Sequence, residues 1–213
     1  MLVSRLISCS YINITAEMLC VIVYQMTICR LFVCVYSYQD PADNRTWKSA
    51  GRLLVAARDG QFYLNGKPKR IISGEFHYFR VHPAQWDDRL RRMRTAGLNT
   101  ITTRVPWNLH ERQQSTFHFR GRWNLADFIH IVHRLGFLLI VHIGPYIDAD
   151  CEFGGLPSWL LRDRNAMVRT SSYRPFIEYV QRYYKHLLPI IEHRTYHRHG
   201  PVIAIQVSQL CID

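Results

Sequence analysis

The chain has 213 residues, 48% of them hydrophobic, and a formal charge of +11 at pH 7. That much apolar material supports the core of one ordinary domain, or of part of a larger one, and excludes global disorder. The positive charge favours anionic partners, but no zinc-finger spacing, helix-turn-helix or basic–aromatic pattern accompanies it, so no nucleic acid partner is expected.

Residues 1–39 read as a leader. The run from Met18 to Asp40 is apolar but interrupted by Arg30. A central Arg costs roughly 2.5–3.5 kcal/mol on membrane-insertion scales, which argues for a signal peptide or signal anchor over a clean membrane span. The sequons Asn13-Ile14-Thr15 and Asn44-Arg45-Thr46 are compatible with a secretory route. The cysteines form no CxxC pair, so neither a zinc site nor a thioredoxin-like site is expected. Residues 40–58 read as a linker.

From residue 59 the pattern becomes regular. Asn65-Gly66 is a hairpin dipeptide between two short strand-like pieces. "RIISGEFHYF" reads as a strand. Pro83 opens a helix with Asp87 and Asp88 in its first turns, and Gly97 ends it. "LNTITTRVPW" reads as the next strand. Asn124 caps a helix whose Leu125, Phe128, Ile129 and Val132 share a stripe, closed by Gly136. "FLLIVHIGPYI" is a third strand, a helix spans about Tyr173 to His193, and "PVIAIQV" is a fourth strand.

Apolar strands alternating with amphipathic helices predict an α/β fold of parallel strands with helical crossovers. A doubly wound sheet and a (β/α)8 barrel both fit. No phosphate-binding glycine motif opens a helix, which disfavours the first. Glu75, Arg104, Asn108, Glu111, Asp148, Asp150 and Glu152 fall at or beyond strand carboxyl ends, where barrel active sites are built. The expected architecture is therefore parallel β/α units forming the first half, four strands, of a (β/α)8 TIM barrel.

Three stretches hold candidate chemistry. Glu75 and His77 alternate on one predicted strand and are placed to face the same side. Trp107, Asn108, His110 and Glu111 follow the second strand; an aromatic beside amides and carboxylates suits sugar recognition, and equally suits loop packing. Asp148, Asp150 and Glu152 alternate in "GPYIDADCEFGGLPSWLL" and are expected to share a face. Residue types alone leave a metal, a sugar and a cation patch open there.

The order and spacing of "LNGKPKRIISGEFHYFRVHPAQW", "RVPWNLHE", "EFGGLPSWLL" and "GPVIAIQV" resemble the successive landmarks of glycoside hydrolase family 35, the lysosomal and secreted β-galactosidases. The resemblance runs from about Gly60 to Val207. It implies that residues 59–213 are the N-terminal half of a catalytic barrel. It also implies retaining hydrolysis of terminal β-galactosides, a galactoside-type carbohydrate as partner, no cofactor or metal, and passage through the secretory pathway to a lysosomal or extracellular place.

Retaining hydrolysis needs two carboxyl groups about 5 Å apart, an acid/base and a nucleophile. By the resemblance, Leu210 stands at the acid/base position, and no residue of this sequence matches the nucleophile, which belongs to a later strand. The chain as written is therefore expected to be an inactive fragment, with a non-catalytic truncated pseudoenzyme or a galactoside-binding protein as the alternative. The resemblance assigns substrate contacts to Asp150, Ala149, Asp148, Gln209, Arg104, Trp107 and Asn108. Arg104 replaces a tyrosine of the family pattern, Asp150 a glutamate and Gln209 an asparagine. A half barrel is further expected to leave the first and fourth strands as open edges, which invites self-association.

Overall fold

The computed structural model describes residues 22–23, 33–34, 55–58, 61–164, 166–168 and 173–208. Two short strands, β1 (Ile22–Val23) and β2 (Val33–Cys34), come first, then β3 (Val55–Arg58), β4 (Gln61–Leu64) and β5 (Lys67–Lys69). The repeating part follows: β6 (Ser73–Glu75), α1 (Trp86–Thr95), β7 (Thr100–Arg104), a single turn α2 (Trp107–His110), α3 (Leu125–Arg134), β8 (Leu138–Gly144), α4 (Arg174–Glu192) and β9 (Val202–Val207).

Strands β6, β7, β8 and β9 lie side by side in chain order, each parallel to the next. Leu90 of α1, Phe128 and Val132 of α3, and Val180, Tyr183 and Leu187 of α4 share one core with Ile101, Leu139 and Val141 of the sheet. The crossover helices thus cover the same face, and the strand order never reverses. A doubly wound sheet requires both a reversal and helices on two faces, so this is a singly wound α/β sheet.

The other face carries the opposite phase of each strand. Its amino-terminal part is apolar: Leu138, Ile140 and Ala204 pack with Val55 and Leu64 of the antiparallel β3–β4–β5 sheet. Its carboxyl-terminal part is polar, and the candidate site lies there.

The predicted local signals explain several boundaries. Asn65 and Gly66, at φ 53° and 75°, turn β4 into β5. Asn124 caps α3, its side-chain oxygen accepting from the Asp127 amide at 3.2 Å. Gly97 and Gly136 follow α1 and α3 with positive φ.

Other expectations need correction. The strand expected over 70–79 is only Ser73–Glu75, followed by a 3-10 turn at Tyr78–Arg80. Tyr78 and Phe79 are both buried, and neighbouring residues of an extended strand cannot both point to one core. Pro83 opens a 3-10 turn, Pro83–Gln85, and α1 proper starts at Trp86. The fourth strand is also no open edge along its whole length. Ile205 and Gln206 of β9 pair antiparallel with Cys34 and Val33. The rest of the predicted leader and most of the linker lie outside the described residues.

Candidate functional site

The site is built on the carboxyl ends of the parallel strands. Cross-strand register aligns Glu75 with Thr102, Arg104 with His142, and His142 with Gln206. Parallel neighbours at equal register point to the same face, so Arg104, His142 and Gln206 form one polar layer above the row of Thr102, Ile140 and Ala204, and Glu75, level with Thr102, lies on the same face one row lower.

From this layer Arg104 Nε reaches across to donate to Glu75 Oε1 at 2.7 Å. His77 Nε2 stands 3.9 Å from the same carboxylate oxygen, so Glu75 and His77 do meet on one side. His77 stacks on Phe79 with ring centroids 5.2 Å apart. Its pKa is lowered, chiefly because burial disfavours the charged ring; Glu75 and Asp150 oppose that shift. His142 is only 5% exposed, and burial pushes its pKa down to about 4, with the Arg104 charge adding to the effect. It is a neutral imidazole at neutral pH, and neither ring nitrogen has a hydrogen-bond partner.

The loop after β8 rises over this layer. Asp148, Ala149 and Asp150 all adopt left-handed backbone, with φ of 58°, 57° and 49°. Two guanidinium groups hold that unusual run. Arg104 Nη1 donates to the Ile147 carbonyl, and Arg80 Nη2 to the Ala149 carbonyl. Asp148 and Asp150 remain exposed. The expected alternation of Asp148, Asp150 and Glu152 is not found: the left-handed run and a 3-10 turn at Glu152–Gly155 replace an extended strand. Gly154 follows from tight packing. A Cβ there would lie 1.9 Å from the Tyr146 ring.

The second candidate stretch divides. Asn108 is half-buried, and its side-chain oxygen has no hydrogen-bond partner, the condition of a group awaiting a ligand or water. Trp107 belongs to the core. It is fully buried, stacks on Tyr183 at 5.0 Å between centroids, meets Trp159 edge-on, and donates from Nε1 to Glu111 at 2.7 Å. Its expected role as a sugar contact is therefore corrected: the indole has no exposed face to offer. Glu111 is likewise structural. It is completely buried and also accepts from the Ser115 amide at 2.7 Å and from Arg182 at 2.5 Å. His110 sits between the Tyr78 hydroxyl, at 2.5 Å, and the His118 carbonyl, at 2.7 Å. Burial lowers its pKa to about 4.

Of the residues expected to touch substrate, the structure thus gathers Asp148, Ala149, Asp150 and Arg104 around one corner of the strand ends and sends Trp107 to the core. Gln209 and Leu210 lie outside the described residues. His142 and Gln206 were not anticipated. The available signal was a histidine and a glutamine inside otherwise apolar strands, each two residues before the strand's last position or one before it. Among the described residues, no group of three or more His, Cys, Asp or Glu side chains is placed to hold a metal ion.

The fold and site thus define an α/β protein of parallel β/α units with acidic, amide and imidazole side chains gathered at the strand carboxyl ends. The comparisons narrow this. Residues 61–209 match the model of "Glycosyl hydrolases family 35", and the chain belongs to that family. Beta-galactosidase-1-like protein 3 of Rattus norvegicus is 41% identical over 175 residues, covering 81% of this chain and 27% of the relative. Beta-galactosidase-1-like protein of Mus musculus is 44% identical over 159 residues, covering 75% of this chain and 24% of the relative. Beta-galactosidase of Mus musculus is 42% identical over 155 residues, with 73% and 24% covered. The chain spans about a quarter of the length of these curated relatives.

Proposed function

We propose that this region is the galactose-holding half of a β-galactosidase-type catalytic domain, the first four strands of a (β/α)8 barrel. The reading rests on one observation above others. At the carboxyl ends of the strands, polar atoms of His77, Asn108 and His142 are buried without partners, beside exposed Asp148 and Asp150. Buried polar groups in native proteins normally have partners, and the hydroxyls of a sugar are donors and acceptors of the right kind for these.

In this reading Asp150 and Asp148 accept from sugar hydroxyls. Arg104 does not touch the sugar through an aromatic phenol, as the family pattern would; it positions the loop through the Ile147 carbonyl and shields Glu75. The acid/base and the nucleophile of a retaining mechanism are assigned to no described residue. In this reading the chain binds terminal β-galactosides, and hydrolysis belongs to the complete domain. Family membership and the two sequons favour a secretory, lysosomal or extracellular place, and the edge of β6 is a route to self-association.

The test is ligand-observed NMR on the full chain with methyl β-galactoside and methyl β-glucoside. Saturation transfer to the galactoside, weaker transfer to the glucoside, and loss of transfer in Asp150→Ala with an unchanged circular dichroism spectrum are expected. Equal transfer to both sugars, or transfer that survives Asp150→Ala, would sink the reading.

A further inference from the structure

We infer that the chain carries a second binding site, for a tetrahedral oxyanion such as a phosphate or sulfate group, in the cavity between α3 and the connection from α4 to β9. The cavity encloses about 290 Å³ and is independent of the sugar reading. The connection forming one wall leads into the amino end of β9, whereas Asp150 and the polar layer stand at the carboxyl ends of the strands.

One wall is α3, where His130 and His133 are three residues apart and share a helix face, with Asp127 a turn earlier. The other wall is the connection, which supplies His193, Arg194, Arg198 and His199. Four imidazoles and two guanidinium groups thus line one space. They account for part of a positive charge that the sugar site does not use.

The connection is a fixed turn. The Thr195 carbonyl accepts from the amides of Arg198 and Gly200 at 3.0 and 2.9 Å, and the Arg194 carbonyl accepts from Val202 at 3.2 Å. The chain passes so closely that a Cβ on Gly200 would lie 1.9 Å from the Arg194 carbonyl oxygen. The adjacent His199 takes left-handed backbone, with φ of 63°. Cationic groups carried on such a turn need little ordering when a ligand arrives.

Charge accounting selects the ligand. Arg198 is paired with Glu192 at 2.8 Å, the Asp127 carboxylate is held by Asn124 at 2.5 Å, and Arg194 donates to the Ile190 carbonyl at 2.7 Å. Both carboxylates near the cavity, Asp127 and Glu192, thus already have partners, and the rest of the polar lining presents imidazole and guanidinium nitrogens. An oxyanion accepts from several N–H donors at once. A metal ion is not favoured, because among the described residues no three suitable donors converge. Ala126, Ile129 and Pro201 are the apolar lining and offer little to an apolar ligand.

The experiment is isothermal titration of the full chain with inorganic phosphate, at constant ionic strength set with chloride. Phosphate should bind, and more weakly when the chloride is raised. The double variant His133→Gln/His193→Gln should lose that binding at least about tenfold while unfolding at the same temperature in chloride. Galactose 6-phosphate distinguishes the sources: tighter binding than inorganic phosphate assigns the oxyanion to a sugar ester, weaker binding to the free ion, and either supports the site. Should the double variant fold poorly, the imidazole C2–H signals of the unaltered chain replace it, and phosphate must move four of the eleven histidines. Heats equal to those of chloride, binding retained in the double variant, or zinc binding with phosphate silent would each overturn the inference. Failure here leaves the galactoside reading untouched.

Discussion

Lowering the pH from 7.5 to 5 should destabilise this fold through two buried histidines. His110 and His142 each have a folded pKa of about 4, lowered from 6.5 by burial. Above pH 6.5 both states hold them neutral. Between pH 6.5 and 4 the unfolded chain takes up protons that the folded chain refuses, so stability falls as pH drops through that window. At pH 5 the linkage is worth about 2 kcal/mol for each ring, roughly 4 kcal/mol together. That is a large part of a typical domain's stability of about 5–15 kcal/mol. His77, with its pKa lowered for the same chief reason, acts in the same direction. Urea denaturation followed by tryptophan fluorescence measures the effect. His142→Leu should remove about half of the pH dependence, because the ring it replaces has no hydrogen-bond partner to lose. A midpoint that is flat between pH 7.5 and 5, or a slope unchanged in His142→Leu, would refute the argument. A protein that works in an acidic compartment would have to offset this loss, for instance by binding sugar.

Two further outcomes follow from the core. Glu111→Ala should cost about 3–5 kcal/mol, because it removes the acceptor for Trp107, Ser115 and Arg182 in a fully buried position; a shift in denaturation midpoint worth under about 1 kcal/mol would contradict its structural role. Gly154→Ala should cost about 1–3 kcal/mol and displace Tyr146, since the new methyl group meets the ring and the backbone φ is 59°. Proton NMR should show the Tyr146 ring signals moving while those of Trp86, on the helical side, stay in place.

Much of the fold was legible from spacing. Asn65-Gly66, Asn124, Gly97 and Gly136 are local signals whose effect is decided by their own backbone and nearest neighbours, and each acts where it stands. The α1 pairs Arg91–Asp87 and Arg92–Asp88, at 2.5 and 3.0 Å, are likewise set by helical spacing. Trp107 shows the limit. An indole beside an asparagine and a glutamate reads the same for a sugar platform as for a core residue. Only the arrival of Tyr183 from α4 and of Trp159 decides that it is buried.

The sequence by itself determined the alternation of strands and helices, because the period of apolar residues is a property of the local chain. It also determined the family, because several motifs stand in order at fitting distances. Tertiary structure decided what no local signal carries. Helices on one face only, and strands in unbroken order, select a singly wound sheet over a doubly wound one. Register brings Arg104, His142 and Gln206, spread over more than a hundred residues, into one layer, and the Arg104 guanidinium joins Glu75 to it. The left-handed run at Asp148–Asp150 is held by arginines from two other segments, at the Ala149 carbonyl within it and the Ile147 carbonyl just before it. These arrangements depend on contacts between residues far apart in the chain, and a contact of that kind exists only once the chain has folded.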